Sequence, residues 1–164
     1  MAVDMFLKIG TIVGESSDLL KHKDWVDVLS FSFGVTQPTS ALAAGAARTV
    51  ERASFGNFTI VKRLDKATPI LMLACVSGEH FAEATIVMRK AGGTQQEFLR
   101  YTLQDCLISS VRPGGSATGG EALPLEEVSF SFSKIKWEYI AQKADGTADV
   151  PVSFGWDLAQ NTKL

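Results

Sequence analysis

The chain of 164 residues is long enough to bury a sizeable core without disulfide staples, and its length predicts a single domain over residues 1–164. Hydrophobic residues make up 46% of the sequence and charged residues 21%, and both fractions are typical of globular proteins. The formal net charge of −2 excludes the basic footprint of a nucleic-acid-binding protein, and the sequence has no polybasic segment for anionic lipid.

Signals for export or membrane insertion are missing from the sequence. In the opening stretch "MAVDMFLKIG", Asp4 and Lys8 interrupt the apolar run that a signal peptide needs. The longest apolar run, residues 70–76, is far shorter than the ~20 residues of a membrane helix. Cys75 and Cys106 lie in apolar runs, which predicts reduced, buried thiols. We therefore expect synthesis in the cytoplasm without a signal peptide, and no membrane insertion.

Strand patterns run along most of the chain. Alternating or β-branched segments predict strands at residues 3–9, 27–36, 57–64, 84–91, 97–112, 126–142 and 151–158. Gly92 and Gly93 mark a hairpin turn between the fourth and fifth of these segments. This succession of strands predicts a mainly β fold.

The segment 27–36 alternates cleanly between apolar and small residues. One face, expected to be buried, carries Leu29, Phe31, Phe33 and Val35. The opposite face carries Ser30, Ser32, Gly34 and Thr36. Serines alternate with apolar residues in the same way at Ser129, Ser131 and Ser133. Two interpretations stay open: an ordinary solvated face with a bias to serine, or the wall of a cavity or channel, including one built by several subunits.

Residues 37–53 form an extended loop in this prediction. Its centre, in the stretch "TQPTSALAAGAARTVER", is almost entirely Ala, Gly and Ser. A helix there is opposed by Gly45 and by the short length of the alanine run. A passive linker fits poorly because no second domain follows. An arm that becomes ordered on another subunit is the third interpretation, with Arg48, Glu51 and Arg52 near its base.

One segment is predicted to be helical, at residues 69–77. Thr68 is expected to cap its N terminus, and Pro69 suits the first helical position, where the missing N–H is not needed. Gly78 suits the left-handed residue that ends a helix. The segment is apolar on nearly all sides, so we expect it to pack against a barrel or to plug its end.

The two longest strand patterns change their apolar phase partway along. In the later one, Val128, Phe130 and Phe132 are followed by Ile135, Trp137 and Tyr139. In the earlier one, Leu99, Tyr101 and Leu103 are followed by Cys106 and Ile108. A slip of one residue marks a bulge or corner, and a straight strand of this length would span roughly 55 Å. The prediction is therefore an antiparallel β-barrel built from two sheets, with one short α-helix and the loop 37–53.

Constellations for catalysis or metal binding are weak. Cys75, Glu79 and His80 are too few for a zinc site, and the apolar surroundings of Cys75 do not suit a reactive thiolate. The glycine-rich stretch 114–120 lacks the ending of a phosphate-binding loop. Adjacent Glu126 and Glu127 point to opposite faces of a strand. We predict no catalytic residue, no metal ligand and no cofactor.

The chain resembles the haemolysin-coregulated proteins, the tube subunits of bacterial type VI secretion. The stretches that carry the resemblance are "MAVDMFLKIG", "DVLSFSFG", "DKATPILMLACVSGEHF", "MRKAGG", "WEYIAQKADG" and "FGWDLAQN". These stretches occur in the same order along the chain as in the family, from Met1 to Asn161. The resemblance implies a barrel of two sheets with one helix, similar to phage tail tube proteins, and no enzymatic activity.

The resemblance also implies an assembly and a set of partners. Six copies would form a ring, and rings would stack into a tube that a contractile sheath drives out of the cell behind a spike protein of the valine-glycine-repeat family. Effector proteins would travel in the lumen, and the protein itself would be secreted through the same apparatus. The side chains of Ser30, Ser32 and Thr36 would face the lumen and its cargo. Ring stacking would use the loop residues Ser40, Leu42, Ala43, Ala44, Arg48, Glu51 and Arg52.

A second hypothesis from a different class is a monomeric β-barrel that binds a small apolar ligand in its interior. The filling of the barrel core discriminates the two hypotheses, because a solid core leaves no room for a ligand. An enzyme is the third hypothesis, and no constellation of residues supports it.

Overall fold

A computed structural model describes residues 2–40, 49–120 and 123–164. Within these residues the chain forms eleven strands and one helix. The first six strands are β1 (Val3–Ile9), β2 (Val26–Val28), β3 (Ser30–Ser32), β4 (Val35–Thr36), β5 (Ser54–Phe55) and β6 (Phe58–Arg63). They are followed by α1 (Thr68–Ser77), β7 (His80–Lys90), β8 (Glu97–Gly114), β9 (Leu125–Tyr139), β10 (Val152–Asp157) and β11 (Thr162–Lys163).

The strands form two antiparallel sheets. The larger sheet runs in the order β11-β10-β9-β8-β7-β1-β2, and a branch from β9 adds β6 and β3. The smaller sheet pairs β4 with β5. Two antiparallel sheets with one short helix confirm the mainly β prediction. The predicted closed barrel is not confirmed, because this ladder is an open path with a side branch.

Both long strands bend at one corner. Asp105 on β8 has a left-handed φ of 46°, and the ladder between β8 and β9 skips it. The buried positions move from Leu103 to Cys106 on β8 and from Phe132 to Ile135 on β9. Beyond the corner β9 changes its second neighbour, pairing with β6 over 125–130 and with β10 over 134–139. The predicted phase slips are thus confirmed as a corner between two parts of the sheet.

The predicted uninterrupted strand over residues 27–36 is wrong. Val26 and Val28 are buried, but Leu29 is 39% exposed, and the inward positions resume at Phe31. The chain changes partner at Leu29, from β1 to β6, and the Leu29 N–H donates to the Val61 carbonyl at 2.8 Å. This change shifts the alternation by one residue. Val35, also predicted to be buried, is 43% exposed in the small β4–β5 sheet.

The helix α1 lies against β8 and contributes Leu71 and Ala74 to the core. Gly78 ends it with a left-handed φ of 65°, as predicted. Thr68 is not the N-cap, however; that position belongs to Ala67. The Thr68 hydroxyl is occupied elsewhere, because it accepts the N–H of Asp65 at 3.1 Å and donates to a strand β9 carboxylate.

That carboxylate is part of a buried ion pair between β6 and β9. The Nζ atom of Lys62 contacts the carboxylate of Glu126, and both side chains are fully buried. Lys62 Nζ also lies 2.9 Å from Asp65 Oδ1, and Thr68 donates to Glu126 Oε1 at 2.9 Å. The network therefore links the start of α1 to two strands of the larger sheet.

A second polar cluster holds the connection between β1 and β2. His22 is 2% exposed, and its two ring nitrogens lie 3.2 Å from Asp18 Oδ2 and 3.1 Å from Glu97 Oε1. Its ring stacks on Phe6 with the centroids 4.5 Å apart. Asp18 also pairs with Arg89, with Oδ1 and Nη1 3.0 Å apart. These contacts fasten the connection to β1, β7 and β8.

Cys106 provides a test of the core. It is fully buried, and this burial raises the pKa of its thiol to about 11. We expect iodoacetamide at pH 8 to leave Cys106 unmodified in the native protein and to modify it after unfolding, because the thiolate is the reactive species. Peptide mass spectrometry measures the modification, and Cys75, which is half-buried, serves as the internal comparison. Equal labelling of Cys106 in native and unfolded protein would contradict the packing.

Candidate functional site

Small polar side chains cover one face of neighbouring strands. Ser30 and Ser32 are exposed on β3, and the register places Ser32 opposite Thr59 on β6. Thr59 in turn lies opposite Ser129 on β9, with their hydroxyl oxygens 2.9 Å apart. Asn57 precedes Thr59 on the same side, and its amide donates to Ser109 Oγ on β8 at 3.1 Å. We call this surface the hydroxyl face, and define it by Ser30, Ser32, Asn57, Thr59, Ser109 and Ser129.

The opposite side of the same strands is aromatic and buried. Phe31, between the two β3 serines, stacks on Phe58 with the ring centroids 5.7 Å apart. Phe58 and Phe130 are directly paired in register, and both are fully buried. Because side chains alternate across a strand, burial of these rings places the hydroxyls on the opposite side of the strands. On that side Ser30 and Ser32 are exposed, Thr59 is half-buried and Ser129 is only 8% exposed. The alternation in sequence predicted that serines and aromatic residues lie on opposite sides of β3 and β9.

The third predicted lumen residue lies elsewhere. Thr36 belongs to β4, where it pairs with Ser54 of β5 in the smaller sheet. It is exposed, as Ser30 and Ser32 are, but within the described residues no ladder joins β4 to β3 or β6. The structure therefore brings Ser30 and Ser32 together and leaves Thr36 outside the hydroxyl face.

Residues that sequence reasoning missed complete the face. Asn57, Thr59 and Ser109 were not predicted as site residues. The alternation within 57–64 would have put Asn57 and Thr59 on one polar side, but their position beside Ser32 depends on the pairing of β6 with β3. Ser109 is the extra residue at an irregularity between Ile108 and Ser110, which the sequence pattern does not reveal.

The stem of the predicted arm is described, and its tip is not. Thr39 bridges to Val50, and the Ser40 N–H donates to the Thr49 carbonyl at 3.3 Å, so residues 36–40 and 49–54 form a two-stranded stem. The Gln37 amide contacts the Glu51 carbonyl. Arg52 donates to the carbonyl of Ala159 at 3.3 Å. The predicted stacking residues outside the described residues are Leu42, Ala43, Ala44 and Arg48.

The corner on β8 brings a serine, a histidine and a carboxylate close together. Ser133 Oγ donates to Asp105 Oδ2 at 2.8 Å, and His80 Nδ1 lies 3.4 Å from Asp105 Oδ1. The bond from Ser133, followed by that from His80, holds the pKa of Asp105 below its usual range. Serine and histidine thus both bind the carboxylate, and the serine–histidine hydrogen bond that activates a nucleophile is not formed.

In the described part of the chain, the His, Cys, Asp and Glu side chains form no group of three or more that could hold a metal ion. The helix in that part is too short to span a membrane. The hydroxyl face itself offers uncharged hydrogen-bond donors and acceptors, which suit weak contact with a polar partner rather than covalent chemistry.

The sequence of this chain matches a known protein family and a close relative. The family model described as "Type VI secretion system effector, Hcp" matches residues 6–139. The protein hcp1 of Pseudomonas aeruginosa is 42% identical over 165 residues, which cover 99% of this chain and 99% of that protein. The chain belongs to the Hcp family. The resemblance to the haemolysin-coregulated proteins is therefore confirmed.

Solved structures share the fold over the whole chain. A structure described as a type six secretion system protein has a TM-score of 0.92 at 29% identity, covering 99% of this chain and 100% of that one. Hcp1 from Salmonella typhimurium has a TM-score of 0.81 at 37% identity, with full coverage of both chains. This chain is thus a β-rich Hcp protein of type VI secretion.

Proposed function

We propose that the protein is the structural subunit of a type VI secretion tube, and that six copies form a ring with the hydroxyl face lining its lumen. The observation that carries the proposal is the hydroxyl face: exposed Ser32 and half-buried Thr59 are paired across two strands, the buried Ser129 follows on the third, and aromatic rings lie beneath them. Membership of the Hcp family supports the same function. The proposal assigns the protein no catalytic residue and no cofactor.

In this proposal the subunit is a single domain over 1–164, and residues 26–32 would close its barrel. β2 pairs with β1, and β3, just beyond Leu29, pairs with β6. A strand that bends and changes partner in this way joins the two halves of a barrel at a corner. The closed wall would give each subunit the rigidity that a ring of fixed diameter needs.

The lumen in this proposal holds effector proteins before export. Small hydroxyls present little bulk and no net charge, so proteins of different surface chemistry can be accommodated through hydrogen bonds. Each contact is weak, and six copies of the face act together. Thr36 lies in the smaller sheet and not in the hydroxyl face, so any contact of Thr36 with cargo would be outside that face.

Rings stack through the arm in this proposal. Its stem is anchored near the C terminus by Arg52, and Ser40, Glu51 and Arg52 are its described residues. Leu42, Ala43, Ala44 and Arg48 would supply the contacts beyond the stem. The sheath and the spike protein of the valine-glycine-repeat family are the other partners, and the tube leaves the cell through the type VI apparatus.

The alternative of a small apolar ligand inside the barrel is disfavoured by the packing of the core. Rings of Phe33, Phe58, Tyr101 and Trp137 lie with centroids 5.0–6.3 Å apart in several pairs. Phe58 is fully buried, and the other three rings are partly buried against the core. Rings in direct contact at this spacing leave little room for a ligand between them.

Replacing Ser32 by arginine tests the lumen assignment. We expect Ser32→Arg to leave the ring intact and to weaken retention of a co-expressed effector by at least about tenfold, a change equal to about 1.4 kcal/mol. The reason is that six long, charged side chains would enter the cargo space. Co-purification measures retention, and electron microscopy with light scattering verifies the ring.

The matched control is Ser17→Arg, at an exposed serine outside the hydroxyl face. This variant should retain cargo as the wild type does. Unchanged retention by Ser32→Arg in an intact ring contradicts the lumen assignment. A wild-type protein that stays monomeric at high concentration contradicts the ring itself.

A further inference from the structure

The buried ring of His22 has a carboxylate at each of its two nitrogen atoms. Nδ1 lies 3.2 Å from Asp18 Oδ2, and Nε2 lies 3.1 Å from Glu97 Oε1. A neutral imidazole carries one N–H, whereas an imidazolium carries two. In a neutral ring the lone pair of one nitrogen would therefore face a carboxylate oxygen. The geometry fits the imidazolium, in which both nitrogens donate.

His22 lies in the middle of a chain of ionic contacts. Arg89 Nη1 lies 3.0 Å from Asp18 Oδ1 on one side, and Arg100 Nη2 lies 2.7 Å from Glu97 Oε2 on the other. Arg89 Nε also lies 3.3 Å from an oxygen of Asp4. In order, the chain of contacts is Asp4, Arg89, Asp18, His22, Glu97 and Arg100. Negative and positive groups alternate along it when His22 is charged, and a neutral His22 would break the alternation at its centre.

Aromatic rings enclose the remaining sides of His22. Phe6 stacks on it with the planes 3° apart, and Trp25 meets it at nearly a right angle with the centroids 4.8 Å apart. Cations lie against both of these rings: the Arg89 guanidinium is 4.9 Å from the Phe6 centroid, and Lys8 Nζ is 5.8 Å from that of Trp25. A cation is stabilised on the face of an aromatic ring. The charged groups around His22 thus come from its own connection (Asp18), β1 (Asp4 and Lys8), β7 (Arg89) and β8 (Glu97 and Arg100).

The contact between His22 and Glu97 joins segments 75 positions apart. His22 belongs to residues 10–25, which connect β1 to β2, whereas Glu97 begins β8. Backbone bonds within the connection, such as that from the Gly14 N–H to the Asp24 carbonyl at 2.7 Å, hold its own shape. Phe6, which His22 stacks on, and Arg89 are only 5% and 6% exposed. The His22–Glu97 contact therefore fastens this connection to β8 through one N–H.

We infer that His22 is an imidazolium in the folded protein at pH 7, and that its second proton is a latch that keeps residues 16–25 closed over Phe6 and Arg89. When the pH rises and the ring releases this proton to solvent, one of its two hydrogen bonds is replaced by contact between a lone pair and a carboxylate. Residues 16–25 then open locally while the rest of the fold stays intact. The latch is fully closed below about pH 6, where histidine is ordinarily protonated, and weakens as the pH rises.

Magnetic resonance of the full chain with isotope-labelled histidine measures the protonation directly. His22 and His80 are the two histidines of the sequence, so their ring nitrogens can be assigned with one variant. At pH 7 we expect two protonated nitrogens in His22. A His22 ring with one protonated nitrogen at this pH overturns the inference.

Hydrogen exchange followed by mass spectrometry measures the opening. From pH 6 to pH 9, after correction for the intrinsic exchange rate, we expect exchange of residues 16–25 to increase by about tenfold or more, the effect of losing one charge-assisted hydrogen bond. His22→Gln removes the titrating ring and should remove this pH dependence. The matched control is His80→Gln, at a histidine that is 67% exposed, and it should keep the pH dependence. Circular dichroism verifies that the variants are folded.

Glu97→Gln is a second variant, which keeps His22 and removes one of its two carboxylates. Its His22 ring should lose the second proton at a lower pH than in the wild type, and residues 16–25 should open at that lower pH. This variant tests the latch even if His22→Gln does not fold. Two results of the exchange experiment overturn the inference: exchange of residues 16–25 that is the same at pH 6 and pH 9, or a pH dependence that persists in His22→Gln.

The latch is independent of the proposed tube function, because all of its contacts lie within one subunit. Rings of wild-type protein without the pH-dependent opening would leave the tube function standing and overturn the latch. A monomeric protein that shows the opening would do the reverse.

Discussion

Replacing Lys62 by methionine is expected to lower the free energy of unfolding by about 3–5 kcal/mol, the effect of leaving one member of a buried ion pair without its partner. Lys62 is fully buried and contacts Glu126, which is also fully buried. The variant would leave the Glu126 carboxylate with the Thr68 hydroxyl as its hydrogen-bond partner. A carboxylate in that position retains a large desolvation penalty.

The double variant Lys62→Met with Glu126→Leu is the matched control. It removes both charges and replaces them with apolar side chains, so it should recover most of the lost stability, as buried ion pairs replaced together often do. Urea unfolding at one protein concentration measures all three proteins, since assembly adds to apparent stability. If the double variant is as unstable as the single one, the loss arises from packing rather than from the stranded charge.

Replacing Asp18 by asparagine is expected to lower stability by about 3 kcal/mol at pH 7, because Arg89 loses a buried partner and His22 loses one of its two carboxylates. Burial raises the pKa of Asp18, but the N–H groups of Lys21 and His22 and the Arg89 guanidinium together outweigh it. They hold this pKa well below its usual range.

The lowered pKa of Asp18 determines how its contribution to stability changes with pH. A carboxyl whose pKa is lower in the folded state stabilises the fold fully above its unfolded pKa, which is about 3.9 for aspartate. The contribution is lost as the pH falls from there through the folded pKa. The difference in unfolding free energy between wild type and Asp18→Asn should therefore shrink as the pH falls below about 4.

The carboxyls of Glu97 and Asp27 also titrate in this pH range. Their contributions to the free energy of unfolding largely cancel when wild type and Asp18→Asn are compared. Burial raises the pKa of Glu97, but its hydrogen bond to Arg100 and the charges of Arg100 and His22 lower it overall. Burial raises the pKa of Asp27. Both groups are present in wild type and variant. A difference that grows as the pH falls below 4 would contradict the assigned role of Asp18.

The local features of the fold were predictable from sequence. Alternation placed Phe31 inward and Ser32 outward, and the left-handed end of α1 at Gly78 followed from the residue type. The phase slip between Leu103 and Cys106 was visible before the corner was known. These features depend on strand and helix geometry within a few residues, which the sequence pattern reports directly.

Other predictions failed where a residue contacts a segment that is distant in sequence. Leu29 was expected to be buried with Phe31, and it is exposed because the chain changes from β1 to β6 at that residue. Thr68 was expected to cap α1, but its hydroxyl is drawn to Glu126, 58 positions later. Alternation and capping rules describe a segment in isolation, so they cannot anticipate a partner that arrives from another part of the chain.

The sequence by itself determined the class of fold, the identity of most strands, the helix and the family. It also supplied the serines of the candidate site, since their alternation with phenylalanine is local. The tertiary structure decided which of them lie together: Ser32, Thr59 and Ser129 become neighbours through two ladders, whereas Thr36 is carried into another sheet. It also decided that Lys62 and Glu126 are buried together. Pairing between strands is set by packing of the whole core, and a pattern with a period of two residues contains no information about which strand lies alongside.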